Sequence, residues 1–562
     1  MLLDSTVNPL YTISMCARTC YNSRDKYNKD KEEDFIRGLI KSGHESPLEN
    51  ASITFDIIGI SRSCSHQLVR HRLASYCQQS QRYVNQETNG YVIPENIKKD
   101  SNKLAIYENA IMDAKNAYKE LLSLGIARED ARFVLPEAML TNITMTMNFR
   151  EIRHFLKLRL DKHCYDENTE VLTLDGWKFF KDVTIKDHIY TINKNSEVEL
   201  IKPIQIMKER YNGDMVKILG QSVDLLVTPN HQNLVSYSYD NKKFILDDAI
   251  NFNKHKRILM KKNCLPIKGK KDEFFTLRAV ERCSHNQYKV FKRLFKSREV
   301  PINLLFQLIG YFIGDGCLLK NRNKHISISF AEGDLEKAKK YAEITSILTG
   351  TKINPYKRKN TNCYIITTSE SVLCEFFYSL FKDKKANTKD IPEFVWEYDS
   401  SILKYLYKGL MDSDGTQRRT GKSYTTVSKE LANSFQRLLL HIGFSGKISV
   451  IDRTNIADRE MKDGHCIKHK SYIYTCSVNE SKNEPILKTT NRNNFSIENY
   501  SGNIYCLCLP ENHTMYVRRN GSCVWSGNSQ WEIRELANKI KDLIISKGWK
   551  VLIEDINYEE NK

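Results

Sequence analysis

The strongest constraint on this chain is an interruption between residues 163 and 529. The segment that ends at His163 and the segment that begins at Ser529 read as adjacent parts of one protein. The 365 residues between them begin with Cys164 and end with Asn528. A thiol, a terminal asparagine amide and a following serine hydroxyl are the groups that excision of a segment from its own chain requires. We therefore divide the chain into a host of 197 residues, 1–163 and 529–562, and an insert, 164–528.

Each part is long enough to bury its own core, and the charge is divided unevenly. The chain has a net charge of +18, but the host has 29 basic against 27 acidic residues, so +16 lies in the insert. This charge suits a partner that carries phosphates; a Lys-rich surface that serves only solubility is the alternative. The 15 cysteines form no paired CxxC sets. Signal-peptide and membrane-spanning patterns are absent, so we expect a cytoplasmic protein with reduced thiols and no membrane partner.

The most informative stretch of the host is the basic segment 70–83, RHRLASYCQQSQRY. Its arginine, histidine, serine and glutamine side chains are donors that suit phosphate and pyrimidine oxygens. A solvated basic loop would have the same composition. However, RHR followed by seven residues and Ser80 is the signature of the flavin-dependent thymidylate synthases, which the host resembles over nearly its whole length.

Further stretches carry this resemblance. They are 44–47 (HESP), 131–136 (ARFVLP), 148–150 (NFR), and a block that runs from Leu158, Arg159 and His163 across the insert to Gln530, Trp531 and Glu532. The resemblance implies reductive methylation of dUMP to dTMP, with methylenetetrahydrofolate as the carbon donor, NADPH as the reductant and FAD as the hydride carrier. It also implies a homotetramer in which several subunits share each site.

The resemblance assigns two sets of host residues by their position in the motifs. FAD contacts fall on Ser46, Arg70, His71, Arg72, Gln78, Asn148, Arg150 and His154. Contacts with dUMP fall on Gln67, Arg70, Gln78, Gln79, Ser80, Gln81, Arg82, Arg132 and Arg159. Arg70, Arg82 and Arg132 can neutralise the phosphate, and Arg159 would be catalytic by stabilising negative charge at N3 of the uracil. Common members often have Glu at the position of Gln78 and Asn at that of His154; both substitutes can still form hydrogen bonds.

Apolar residues at helical spacing predict two host helices before the insert, at 101–124 and 149–160. After the insert, a third apolar stripe runs over 533–544. It follows Ser529-x-x-Glu532, a capping-box pattern, so this helix is expected to begin at Ser529.

The ends of the insert resemble those of an intein. Cys164 would convert its peptide bond with His163 into a thioester. Residues 228–231 (TPNH) match the family's block in which His231 donates a proton to the departing nitrogen and Thr228 assists.

The remaining splicing steps fall on the C-terminal end of the insert. Ser529 would accept the N-terminal host segment by transesterification, and Asn528 would cyclise, with His513 polarising that step. Two residues depart from the family: Gly527 stands where His is usual, and Cys506 stands where Asp is common. Splicing is therefore expected to be slower or to depend more on His513. Taken singly, a Cys or His is more often a packed core residue; their joint order favours the intein.

Inside the insert, residues 308–316 (LIGYFIGDG) and 407–415 (YKGLMDSDG) align with one another. Both resemble the LAGLIDADG motif of homing endonucleases. Glycines at 310, 314 and 409 permit close helix packing, and each helix ends near an acid, Asp315 or Asp414. These carboxylates would bind Mg²⁺ and so activate water for cutting double-stranded DNA. The alternative is a decayed endonuclease that retains only structural helices.

Segments with high strand propensity follow each motif, at 325–330, 364–368 and 424–427, and predict β-ribbons for a major groove. We therefore expect an α+β protein: a flavin-dependent thymidylate synthase fold split by a β-rich splicing domain that carries an α+β endonuclease domain. The expected bounds are 1–163 and 529–562 for the synthase, 164–300 and 451–528 for the splicing regions, and 301–450 for the endonuclease. Two alternatives remain: a spliced synthase with an inactive DNA-binding insert, or a chain that fails to splice and only binds or nicks DNA.

Overall fold

The computed structural model describes the chain except residues 99–100, 160–163, 241, 286–289, 321–324, 360, 420, 455–458, 461–465, 468–471, 482, 511, 528–533 and 554–562. The chain forms two compact units: Met1–His163 with Ser529–Lys562, and Cys164–Asn528. Within the described ranges, no helix has both the length and the apolar composition needed to cross a membrane. Thirteen of the cysteines are thiols rather than disulfides.

The host unit combines one antiparallel sheet with helices. The sheet has the strand order Leu2–Ser5, Ser52–Ser61, Leu140–Asn148, Ser75–Gln78. The α-helices are Pro9–Thr19, Glu32–Lys41, Arg62–Leu68, Glu95–Lys98, Ser101–Ser123, Arg128–Ala131, Phe149–Arg159 and Arg534–Ser546. Short 3-10 helices are Arg24–Lys26, Lys29–Lys31, Ser46–Asn50, Arg132–Val134 and Lys550–Leu552.

Both host segments contribute to one hydrophobic core. Alternate residues of the strand Leu140–Asn148 point inward, as half-buried strands require. The helix Phe149–Arg159 packs against them, and Ala537, Ile540 and Ile544 complete the same core from the C-terminal segment. The predicted helices at 101–124 and 149–160 are confirmed. The third is present as Arg534–Ser546, while its expected first residues, Ser529 to Glu532, lie outside the described residues.

The ends of the insert form a closed β-barrel. Its strands are Gln205–Leu219, Asp224–Val227, Tyr165–Asp166 and Phe495–Cys508. The two longest strands pair from Gln205 with Cys508 to Ile218 with Phe495. Ten further strands of these regions belong to a 14-stranded sheet, whose other four strands come from the middle of the insert. The ten are Glu170–Thr173, Gly176–Phe179, Ile189–Ile192, Val198–Ile201, Gln232–Ser236, Ile245–Asp248, Arg257–Met260, Ile486–Lys488, Thr514–Arg519 and Ser522–Gly527. The 3-10 helices are Phe180–Asp182 and Ala249–Lys254.

The middle of the insert contains two similar halves, each of which begins with one of the motif helices, Ile302–Asp315 and Ser400–Ser413. The first half continues through Gly316–Lys320, Ile326–Glu332, the helix Leu335–Thr349, Tyr356–Lys357, Tyr364–Thr368 and the helix Ser371–Phe381. The second continues through Gly415–Arg418, Gly421–Thr426, the helix Lys429–His441, Ser445–Asp452 and Tyr472–Asn479. The strands predicted at 325–330, 364–368 and 424–427 are confirmed.

The sheet of the second half extends beyond residue 450, the expected end of the endonuclease. The strand Ser445–Asp452 crosses that position and pairs with Tyr472–Asn479 along its whole length. It also bonds to the strand Ser522–Gly527. The remaining elements are the 3-10 helix Glu393–Glu397 and the strands Phe274–Leu277, Val280–His285, Val290–Phe295, Arg298–Pro301, Arg459–Glu460 and Cys466–Ile467.

Candidate functional sites

The basic segment of the host begins in the turn between the helix Arg62–Leu68 and the strand Ser75–Gln78 and continues through and beyond that strand. His71 is buried there, whereas the flanking Arg70 and Arg72 are exposed. This turn carries three of the residues assigned from the sequence, Arg70, His71 and Arg72. The others lie on the helix Arg62–Leu68 (Gln67), at the end of Ser75–Gln78 and just after it (Gln78, Gln79, Ser80, Gln81, Arg82), on Arg132–Val134 (Arg132), at the start of Ser46–Asn50 (Ser46), at the end of Leu140–Asn148 (Asn148), and on Phe149–Arg159 (Arg150, His154, Arg159).

His71 and Arg159 meet in the core of this site. Arg159 Nε donates a hydrogen bond to His71 Nε2 at 3.0 Å, and His71 Nδ1 lies 3.8 Å from Glu151 Oε1. Burial, together with the charges of Arg159 and His154, lowers the pKa of His71 to about 4. His71 is therefore neutral at pH 7. Because its Nε2 accepts from Arg159, its proton is on Nδ1, which faces the Glu151 carboxylate.

A second group of cations lies beside the strand end. Arg62 Nη2 donates to the Gln79 carbonyl at 2.6 Å. Burial lowers the pKa of Arg62, and the nearby Arg132 lowers it further. Two close guanidinium groups create a positive potential that an anion would relieve. Gln78 is fixed nearby, since its amide donates to Ser65 Oγ at 2.7 Å.

Two residues of the expected FAD set already bond to other parts of the protein. Asn148 Oδ1 accepts from the backbone N–H of Glu151 at 2.8 Å and so caps the helix Phe149–Arg159. Arg150 pairs with Glu49 and lies 3.9 Å from Glu45. Ser46 is exposed. A ligand at this position would have to compete with the two carboxylates for Arg150.

The N-terminal end of the insert is held by Thr228. The backbone N–H of Cys164 donates to Thr228 Oγ1 at 2.9 Å, and the N–H of Thr228 donates to the Cys164 carbonyl at 3.0 Å. His231 follows in the same turn, with its N–H bonded to the Thr228 carbonyl at 2.9 Å. All three residues are buried. The structure thus brings together the three residues expected to act at this junction.

The two ends of the insert also meet each other. The hydroxyl of Tyr165 donates to the Gly527 carbonyl at 2.7 Å, across 362 residues of sequence. His231 Nε2 lies 3.1 Å from Ser526 Oγ. Tyr165, which follows Cys164, and Gly527, which precedes Asn528, therefore lie in one buried cluster with His231 and Ser526.

Two further residues of the splicing set border the C-terminal junction. His513 has a left-handed backbone with a φ of 49° and directly precedes Thr514, whose ladder partner is Gly527. Cys506 is fully buried and follows Tyr505, the ladder partner of Tyr165. Asn528 and Ser529 lie outside the described residues.

The motif helices pack at the closest distance that glycine allows. A Cβ atom at Gly310 would lie 2.3 Å from the Leu406 carbonyl oxygen, and one at Gly409 would lie 2.1 Å from that of Gln307. At Gly314 a Cβ atom would collide with the side chain of Ser413. Any side chain at these positions would push the helices apart. The predicted role of the three glycines is therefore confirmed.

Asp315 and Asp414 lie together where the motif helices end. Burial raises the pKa of Asp315 to about 6, with further contributions from Asp414 and Glu332. Burial also raises the pKa of Asp414. In the part of the chain that the structure describes, no cluster of three or more His, Cys, Asp or Glu side chains is arranged to bind a metal ion. Two buried carboxylates, one of which is further destabilised by the charge of the other, nevertheless suit a divalent cation.

Lys389 is a residue of this site that the sequence pattern does not reveal. Its Nζ donates to the carbonyls of Phe312 (2.9 Å), Ile313 (3.1 Å) and Gly316 (2.6 Å), at the C-terminus of the first motif helix. A cation there offsets the negative end of the helix dipole. Lys389 is 8% exposed, and burial lowers its pKa, whereas Asp414 and Asp315 raise it. No local signal identifies it, because 73 residues separate it from Gly316.

The chain is similar to known proteins in two places. Residues 1–181 match the family described as thymidylate synthase complementing protein, and residues 402–492 match a LAGLIDADG-like domain. The flavin-dependent thymidylate synthase of Pyrococcus abyssi is 42% identical over 203 residues, covering 34% of this chain and 82% of that protein. That of Geobacter sulfurreducens is 44% identical over 166 residues, covering 28% of this chain and 72% of that protein.

A solved structure, the UMP/dUMP methylase of Streptomyces cacaoi bound with 5-Br dUMP, is 28% identical and covers 28% of this chain and 76% of that chain. Its TM-score of 0.26 is too low to inform the fold. The agreement with the curated synthases extends over most of their length, and it carries the identification. The chain belongs to the flavin-dependent thymidylate synthase family, and its insert contains a LAGLIDADG-like domain.

Proposed function

We propose that this chain is a self-splicing precursor of a flavin-dependent thymidylate synthase and that the excised insert is a site-specific DNA endonuclease. One observation carries the proposal. The insert Cys164–Asn528 is a compact unit of its own, whose first and last strands are joined by the Tyr165–Gly527 hydrogen bond, while both host segments share one core. Excision of such a unit would leave a complete synthase core.

The mature host would reductively methylate dUMP to dTMP, with methylenetetrahydrofolate giving the carbon and NADPH the reducing equivalents. The donor set fits FAD, because Arg70, Arg72 and Arg150 are exposed guanidinium groups that suit a pyrophosphate. With Ser46, His71, Gln78, Asn148 and His154 they would bind the flavin, which would supply a hydride carrier.

The nucleotide would lie on the second group of cations. Arg70, Arg82 and Arg132, joined by Arg62, would neutralise its phosphate. Hydrogen bonds to the rest of the molecule would come from Gln67, Gln78, Gln79, Ser80 and Gln81. Arg159 would donate toward N3 of the uracil and stabilise the negative charge that develops there. The neutral His71, which accepts from Arg159 Nε, would hold that guanidinium in position.

A homotetramer is proposed for the mature enzyme. Large apolar side chains are exposed beside the candidate site residues, namely Leu73 (77%), Tyr83 (74%) and Phe133 (83%). Apolar side chains exposed beside a polar site are typical of surfaces that another subunit covers. Neighbouring subunits would then close each site over its exposed arginines.

Splicing would begin at the junction held by Thr228. Sγ of Cys164 attacks the His163 carbonyl carbon and gives up its proton to His231, the bond to the Cys164 nitrogen breaks, and His231 passes the proton to that nitrogen. Thr228 Oγ1 accepts a hydrogen bond from the same nitrogen and holds it in place. The product is a thioester at Cys164.

The later steps transfer the N-terminal host segment and release the insert. Oγ of Ser529 attacks the thioester and frees the Cys164 thiol. The side-chain nitrogen of Asn528 then attacks the main-chain carbonyl carbon of the same residue and breaks the peptide bond to Ser529. His513 polarises that main-chain carbonyl. The released amine of Ser529 then attacks the ester carbonyl that links residue 163 to Ser529 Oγ. The ester bond breaks, and a peptide bond between His163 and Ser529 remains.

For the insert, the donor set of Asp315 and Asp414 fits Mg²⁺, which would supply activated water for cutting both strands of DNA. The insert's charge of +16 supports a nucleic-acid partner. Two alternatives remain testable: an insert that binds DNA without cutting it, and a chain that does not splice.

Intact-protein mass spectrometry of the freshly expressed chain tests splicing. Species of 197 and 365 residues are expected, and both should be missing from a Cys164→Ala, Asn528→Ala control. A lasting 562-residue species would overturn the splicing proposal. Flavin absorbance in the 197-residue product tests the synthase, and Mg²⁺-dependent cleavage of the uninterrupted gene separates an active from an inactive insert.

A further inference from the structure

The contacts between the two ends of the insert form a connected network, and its hydrogen-bond directions can be assigned. Asn233 Nδ2 donates to the His231 carbonyl at 3.0 Å, so its other side-chain atom, Oδ1, is an acceptor. Ser526 Oγ donates to that oxygen at 2.9 Å. Since the hydroxyl proton of Ser526 is used there, its oxygen accepts from His231 Nε2 at 3.1 Å.

These directions assign the ring proton of His231 to Nε2, so Nδ1 is the nitrogen that takes up and releases a proton during catalysis. The residue responsible is Ser526, which lies on the last strand of the insert, two positions before Asn528. The C-terminal strand therefore orients the acid that serves the N-terminal junction. Ser526 also forms a side-chain hydrogen bond with Tyr165.

Tyr165 makes the reverse connection. Its ring is fully buried, stacked on Phe180 at a centroid distance of 4.9 Å and edge-on to His231 at 4.2 Å. Its hydroxyl donates to the carbonyl of Gly527, which forms the peptide bond to Asn528. A residue next to Cys164 thus holds the backbone that leads into the asparagine.

The space around Gly527 explains why a histidine is not found there. A Cβ atom at this position would lie 2.4 Å from the backbone oxygen of Gln232. A side chain would force the last strand away from the strand Gln232–Ser236. In this protein, Gly527 can therefore be positioned only by hydrogen bonds from other residues to its backbone.

We propose that Tyr165 and Ser526 are positioning residues that couple the two splice junctions. Ser526 orients His231 for thioester formation at Cys164, and Tyr165 orients the Gly527–Asn528 peptide for cyclisation. The inference rests on the proposed splicing function. It assigns each residue to the junction at the opposite end of the insert. Because the two side chains also bond to each other, each substitution should slow the half-reaction at its assigned junction more than the other half-reaction.

The test uses the full 562-residue chain in two backgrounds. Asn528→Ala isolates N-terminal cleavage, read out as dithiothreitol-induced release of residues 1–163. Cys164→Ala isolates C-terminal cleavage, read out as release of residues 529–562. Tyr165→Phe should slow C-terminal cleavage about tenfold and change N-terminal cleavage less than about twofold. Ser526→Ala should do the opposite and alter the pH profile of N-terminal cleavage, and Ser526→Thr should restore the rate.

Two variants control for the loss of a buried hydroxyl. Tyr516→Phe removes a hydroxyl that donates to the Lys262 carbonyl at 2.9 Å, and Ser522→Ala changes a buried serine of the same strand as Ser526. If the test variants behave like these controls, or slow both half-reactions equally, the coupling proposal is wrong while splicing stands. If the parent backgrounds yield neither product, the proposed splicing function itself fails.

Discussion

The candidate splicing centre and the candidate synthase site differ in how much of each is exposed. Cys164, Thr228 and His231 are each at most 1% exposed, and their contacts come from the insert itself. In the synthase site, His71 is buried, but Arg70 and Arg72 face solvent.

This difference follows from what each site acts on. A splicing centre acts on its own backbone, so its residues can be buried and hydrogen-bonded as soon as the chain has folded. The proposed synthase site would have to admit a nucleotide, a folate, FAD and NADPH, and its exposed cations would be covered by these ligands and by the proposed neighbouring subunits. Substitutions in the buried centre should therefore change splicing without any added ligand. Substitutions in the open synthase site should show their effect only when ligands are bound.

The largest effect is expected at His231. His231→Ala removes the proposed proton donor to the departing nitrogen and should slow N-terminal cleavage roughly a hundred- to a thousandfold. The measurement is dithiothreitol-induced cleavage in the Asn528→Ala background. His188→Ala, at a position outside the barrel's junction cluster, is the control. A loss below about threefold would contradict the role given to His231.

The next effect is expected at the motif helices. Asp315→Asn removes one proposed Mg²⁺ ligand and should lower DNA cleavage at least about a hundredfold, and EDTA should do the same to the unchanged insert. Splicing should continue normally, because the barrel strands are separate from the motif helices. The matched control is Glu336→Gln. Glu336 is an exposed acid whose carboxylate forms an ion pair with Lys339. Equal cleavage by both variants would argue against a metal at Asp315.

Local structure was largely predictable from the sequence, whereas the contacts that complete each site were not. Helical spacing identified Ser101–Ser123 and Phe149–Arg159, because an amphipathic stripe is a local pattern. The glycines of the motif helices also signalled a close approach. By contrast, Lys389 and Tyr165 act on atoms that are distant in sequence, and only the register of the folded strands and helices brings them there.

Boundaries show the same limitation. The strand Ser445–Asp452 continues past residue 450 because its partner Tyr472–Asn479 comes later in the chain. Nothing in the composition around 450 signals that pairing. Likewise, the sequence shows that Gly527 departs from the intein pattern, but only the backbone oxygen of Gln232 explains why glycine is needed there.

A smaller effect is expected at Arg159 in the spliced synthase. Arg159→Lys keeps the charge but loses the planar donor that bonds His71 at 3.0 Å. We expect kcat to fall roughly tenfold to fiftyfold with a smaller change in the KM for dUMP, since the charge at N3 develops during the reaction. The control is Arg37→Lys, an exposed arginine that bonds Asp34 at 2.6 Å. An unchanged kcat would show that Arg159 serves binding alone.

The smallest effect is a pH dependence of stability that comes from His71. Its pKa in the folded protein is about 4, below its ordinary value of about 6.5. Between these values the unfolded chain binds a proton that the folded chain does not, so stability falls as the pH drops from about 6.5 to about 4.

His71→Gln keeps an acceptor for Arg159 and does not titrate, so it should remove this part of the pH dependence. Water near the site screens the effect, so we expect His71 to contribute about 1.5 kcal/mol to the pH dependence of the free energy of unfolding, less than its pKa difference alone would give. Urea unfolding of the spliced synthase at a fixed protein concentration, at pH 7.5 and pH 4.5, gives the difference between wild type and variant. If that difference does not change with pH, His71 is not held neutral by its surroundings, and the buried half of the synthase site is as open to water as its arginines.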